Sequence, residues 1–220
     1  MPQIFQSELE EVQTRLVEIS ESVANIMQKA STAFLDSDVK QADEAIALAE
    51  ANESKASALD QLAIRILSRQ SPVARDLRIL VAALRISASL ERMGALAGHI
   101  ATIAKYRYPD SAIPKILRPT FKELSRLDIE LARRVSALLK NTDVDLARLI
   151  QGEDARVDEL HQNVFDIVLG KKWKENAVYT VDVTLASRYF ERFADHVVDI
   201  STKVSYLTTG AWHDIEEVEE

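Results

Sequence analysis

Two stretches of this 220-residue chain repeat one another at an offset of one hundred positions: Ser87, Glu91, Arg92, Ile100 and Thr102 recur as Ser187, Glu191, Arg192, Ile200 and Thr202. Both lie in long segments of helical periodicity, so the repeat concerns a whole supersecondary unit used twice. With only five Gly and five Pro and no strand-like alternation, the chain is expected to be all-α. Punctuation residues set the helix limits. Ser71-Pro72 reads as an N-cap followed by proline at the first helical position, where its missing N–H would be unpaired in any case. Asp143 reads as another cap, and Gly170 and Gly210 as helix ends. Six long helices follow, near 7–34, 39–69, 72–106, 115–140, 143–169 and 175–208. Pro109, Pro114 and Pro119 mark the turn between the repeats. The expected architecture is two tandem, pseudo-symmetric three-helix bundles: residues 1–110, residues 111–210, and an acidic tail over 211–220 expected to be disordered.

Charge and missing residue types narrow the function classes. The 27 basic and 35 acidic residues give a net charge of -8, and five acids (Asp214, Glu216, Glu217, Glu219, Glu220) crowd the C-terminus. The body has no basic excess with which to grip nucleic acid. Without cysteine there is no disulfide, thiol nucleophile or Cys-ligated zinc, which fits a reducing compartment. The first residues have no signal-peptide pattern and no segment is apolar enough to span a bilayer, so the expectation is a cytoplasmic protein without direct membrane insertion. Walker-type phosphate loops and nucleophile elbows are missing too, and no catalytic residues are assigned.

The sixth helix carries the most chemistry. Ala186, Phe190, Phe193, Val197, Ile200, Val204 and Leu207 alternate in spacings of four and three, a heptad seam for burial in a bundle. Glu191, Asp195 and Asp199 align with one another on the opposite side. Such a stripe suits a bound cation, which relieves carboxylate repulsion. It equally suits a solvated face, with Lys203 four residues beyond Asp199 as an ordinary surface ion pair and Arg188 and Arg192 neutralising Asp195. On the fifth helix Val157, Leu160, Val164 and Val168 form the apolar face, while Asp154, Asp158 and His161 share a flank able to approach that stripe. The first repeat is depleted: Glu91, Ala95 and His99 match the stripe, and Glu53 and Ser57 match Asp154 and Asp158. Gly94 and Gly98, four apart, suggest close approach of another helix or protomer, or a small-residue groove without a special role.

The run Arg69-Gln-Ser-Pro-Val-Ala-Arg-Asp-Leu-Arg78, with Leu90-Glu-Arg-Met-Gly94 and Phe190-Glu-Arg-Phe-Ala-Asp-His196, resembles the PhoU phosphate-signalling family over about residues 5–208. The resemblance implies two three-helix repeats and metal binding through an acidic E(D)xxxD motif, at Glu191, Asp195 and Asp199, with Asp154 and Asp158 matching the acidic positions of the preceding helix. Glu91, His99 and His161 are weaker metal candidates, and Ala95 stands where the family has Asp. The implied cofactor is a divalent or iron-type metal ion. The implied role is to damp the phosphate-specific ABC transporter and the phosphate-starvation response when phosphate is plentiful, with the transporter ATPase and a sensor histidine kinase as partners and a homodimer as the assembly. Arg75, Asp76 and Arg78 resemble a family segment and are read as a docking surface or as local ion pairs at a helix start. Two alternatives are a ferritin-like di-metal oxidase, for which only Asp158-x-x-His161 approaches the required motif, and a metal-free helical scaffold.

Overall fold

The computed structural model describes residues 2–70, 72, 74–152 and 154–209, all helical or in short connections. The helices are α1 (Pro2–Asp36), α2 (Val39–Gln70), α3 (Ala74–Arg107), α4 (Arg118–Asn141), α5 (Val144–Gln151), α6 (Asp154–Val168) and α7 (Ala177–Thr209). These are the six expected long segments, with the fifth divided. Gly152 ends α5, its N–H turned back on the carbonyls of Leu149 and Ile150, because glycine is a poor helix former and a good stop. Asp143 caps α5 as expected, accepting from the N–H groups of Asp145 and Leu146. The fourth helix starts later than expected because Pro114 to Leu117 form a turn, closed by a hydrogen bond from the Leu117 N–H to the Pro114 carbonyl. Ser71, Gly210 and the 211–220 tail lie outside the described residues.

Helices α1, α2 and α3 pack mutually, as do α6, α4 and α5 around α7. The two groups meet along α1 with α4 and α3 with α7. The sequence-defined seam supplies the centre: Phe190, Phe193, Val197 and Ile200 are fully buried. Phe34, Phe121 and Phe190 bring an aromatic ring each from α1, α4 and α7 to one point, with the first two rings 5.1 Å apart and edge to face. Polar crosslinks flank this core. Arg107 of α3 pairs with the nearly buried Asp182 of α7, and Arg118 of α4 reaches the Leu35 carbonyl and the Asp36 carboxylate.

Gly94 and Gly98 face α2 of their own bundle, so the helix that approaches them is internal. A Cβ on Gly94 would stand 2.8 Å from the amide nitrogen of Asn52, and one on Gly98 3.0 Å from the Cβ of Ala49. Asn52 is buried and donates to the Leu90 carbonyl at 3.4 Å. Alanine at an ordinary helix position would gain up to about 1 kcal/mol over glycine. Here Gly94→Ala is expected to lose about 1–2 kcal/mol by overpacking, and Asn52→Ala in the same chain should restore much of it. Urea unfolding of the two single variants and the double variant checks this; a stabilised Gly94→Ala chain would show that Asn52 swings aside without cost.

Candidate functional site

Helix α6 packs along α7, and this contact brings four acids within electrostatic reach of one another. Glu191 is the most enclosed. Its side chain is 12% exposed; one oxygen accepts from the Arg188 guanidinium and the other is buried with no hydrogen-bond partner. Burial, reinforced by Asp195 and Asp158, raises its pKa above the ordinary carboxylate range; Arg188 opposes this and is outweighed. Asp154 is raised likewise, by burial first and by Asp158 second. Asp195 is exposed. His161 shares its Nδ1 with the Ser187 hydroxyl and sets its ring edge-on to Phe165, 5.0 Å away. Burial and then Arg188 lower its pKa, favouring the neutral imidazole.

Two features of the acidic stripe differ from the sequence reading. Arg188 pairs with Glu191 rather than Asp195, because Glu191 stands three residues on, within one turn, whereas Asp195 stands seven residues and two turns away. Asp199 is turned to the other bundle: it accepts from the Ser89 hydroxyl of α3 at 2.6 Å and from Lys203, which itself donates to Ser89 at 3.1 Å. The ion pair with Lys203 four residues on is the one expected, but Ser89 joins it: the Lys203 side chain is 12% exposed and that of Asp199 45%, so α3 covers the pair on one side. The physical reason is that α3 lies against α7, so a position on the outer side of one bundle comes to the edge of the contact between the two.

In the first repeat Glu50, Glu53, Glu91 and His99 line a hollow of about 200 Å³ between α2 and α3, with Ala95 and Gly98 in its wall. Burial, then Glu53 and Asp60, raise the pKa of Glu91. Asp60 also has a buried oxygen without a partner. It follows Glu53 and Ser57 by the same steps by which His161 follows Asp154 and Asp158, so the repeat offset could have found it. His99 lies against Tyr189 of α7 at 5.3 Å, and burial followed by Arg92 lowers its pKa. Arg75 and Asp76 line a separate cavity of about 300 Å³ with Gln13, Leu139 and Leu207, where α1, α3, α4 and α7 meet; Arg78 is exposed.

Among the described residues no three His, Asp or Glu side chains converge into a shell that could hold a metal ion. The donor chemistry suits a hard cation, since carboxylate oxygens dominate and Glu191 leaves one of them unpartnered. The side chains as placed stop short of a finished coordination sphere.

The fold and these acids define a class: a twice-repeated helical bundle with a cluster of carboxylates beside the last helix of each repeat. The PhoU domain family model matches residues 16–104 and 121–204. A phosphate-specific transport system accessory protein, PhoU homolog 2 of Mycobacterium tuberculosis, is 35% identical over 94% of this chain and 98% of its own length. PhoU homolog 1 of Mycobacterium leprae is 33% identical over 94% of each chain. The crystal structure of the phosphate transport system regulatory protein PhoU from Streptococcus pneumoniae superposes with a TM-score of 0.84 at 22% identity, covering 96% of this chain and all of that one. The chain belongs to the PhoU family. Among the described residues no helix is long and apolar enough to cross a membrane.

Proposed function

We propose that this protein is a non-catalytic accessory regulator of phosphate transport. The observation that carries the reading is the match of both repeats to the PhoU domain, together with relatives that align over nearly their whole length. In the finer form of the proposal it acts at the cytoplasmic side, as a homodimer, on the ATPase of a phosphate-specific ABC transporter and on a sensor histidine kinase, and damps both when phosphate is plentiful. Deleting the gene in its host should raise a phosphate-starvation reporter in phosphate-rich medium. An unchanged reporter and unchanged phosphate uptake would overturn the reading.

Metal binding is a separate part of the proposal. Asp154, Asp158, Glu191 and Asp195 would hold the ion, and its chemistry there would be neutralisation of carboxylates that repel one another. Asp199, tied to Lys203 and Ser89, holds the bundles together instead. Elemental analysis of protein purified without chelator or affinity histidines should find stoichiometric metal, lost in a Glu191→Gln, Asp158→Asn double variant. Metal missing from the native chain would make this acidic cluster a solvated or partner-facing surface.

A further inference from the structure

The connection between α3 and α4 and the connection between α6 and α7 meet at one end of the molecule. Pro114, Lys115 and Ile116 from the first, and Lys172, Trp173 and Lys174 from the second, enclose a surface hollow of about 450 Å³. The charge here runs against that of the whole chain. Residues 105–118 and 169–176 hold seven Lys and Arg against two acids, Asp110 and Glu175, in a protein of net charge -8. Lys105, Arg107 and Arg118 are neutralised by Asp43, Asp182 and Asp36. Lys115, Lys171, Lys172 and Lys174 are all exposed, and among the described residues none has a carboxylate in ion-pair range.

The same segments expose large apolar side chains. Leu169 is 81% exposed, Tyr106 75% and Tyr108 53%, with Ile116 at 45%. The first turns of α7 add exposed Val178 and Val181. Concentration of exposed apolar groups at one end of a soluble chain marks a contact surface. Trp173 is half-buried, its indole N–H held by the Thr180 hydroxyl at 2.9 Å, so it braces the loop against α7 and presents the flanking lysines.

We infer that this end of the molecule adsorbs to an anionic lipid bilayer. Exposed apolar and cationic side chains are interleaved within single short segments: Leu169 two residues before Lys171, and Ile116 beside Lys115. At a bilayer surface the apolar tips enter the acyl boundary while lysine heads stay level with the phosphates. The lysines supply the electrostatic part of the attraction, which salt weakens. The surface lies on the membrane and spans nothing. This inference goes beyond the regulatory reading and is measured without it.

The test is co-sedimentation of the full chain with phosphatidylcholine vesicles, with and without phosphatidylglycerol. Binding is expected only with phosphatidylglycerol, reversed by high salt, and weakened roughly 100-fold in a Lys171→Ala, Lys172→Ala, Lys174→Ala variant. Leu169→Asp should weaken it at unchanged melting temperature. A control with the same loss of charge elsewhere, Lys40→Ala, Lys55→Ala, Lys122→Ala, should bind like the native chain. No binding to either vesicle, equal binding to both, or equal loss in the control would each overturn the inference; the first of these would leave an acidic protein as the occupant of the surface.

Discussion

The Asp128→Leu variant is expected to be more stable than the native chain by about 1–3 kcal/mol, the usual cost of a buried polar group without a hydrogen bond. Asp128 lies midway along α4 on the same buried stripe as Leu124 and Leu131, 0% exposed, and neither carboxylate oxygen has a partner. Burial alone drives its pKa well above the ordinary value, which favours the neutral acid. The sign of the pH effect follows. A carboxyl whose folded pKa is raised binds its proton more tightly in the folded state, so its contribution is harmless below the unfolded pKa near 3.8 and becomes progressively destabilising as pH rises towards the folded value. Urea unfolding followed by circular dichroism between about pH 5 and about pH 8 should therefore show the native chain weakening relative to Asp128→Asn, which keeps the shape and cannot titrate. A parallel pH profile for the two proteins, with Asp128→Leu less stable than the native chain, would mean that a polar partner holds this carboxyl.

Phe190→Ala should have the opposite and larger effect, a loss of about 3–5 kcal/mol. Its ring is fully buried, 6.4 Å from that of Phe34 and 6.1 Å from that of Phe121. Because the three rings come from α7, α1 and α4, the deletion empties the junction where both bundles share a core. The variant should still unfold in a single transition at a lower urea midpoint, since α3 remains against α7 through Arg107–Asp182 and Ser89–Asp199. A loss below about 1 kcal/mol would show that the neighbouring side chains collapse into the space.

Much of this was legible without coordinates. The spacing of Ala186, Phe190, Phe193, Val197 and Ile200 identifies the buried face of α7, because a helix has one period and apolar groups at that period cannot all reach water. The Asp143 cap was legible for an equally local reason, its oxygen bonding the next exposed N–H groups. The break at Gly152 carried a local signal as well, and Asp60 a repeat signal. The partner of Gly94 was of another kind: nothing local to α3 says that Asn52 of α2 fills the notch.

The acidic site divides along the same line. The sequence by itself determined that Glu191, Asp195 and Asp199 share one side of α7, that the chain repeats, and that the repeats are helical, since each follows from periodicity within a continuous segment. Only the tertiary structure decided what each acid meets: Arg188 and burial for Glu191, water for Asp195, Ser89 and Lys203 for Asp199. It alone also gathered Lys115 with Lys172 and Lys174 at one end. Helical periodicity fixes the angle at which a side chain leaves its own helix, whereas burial and charge pairing depend on which other helix covers that angle, and that is settled by packing between residues far apart in the chain.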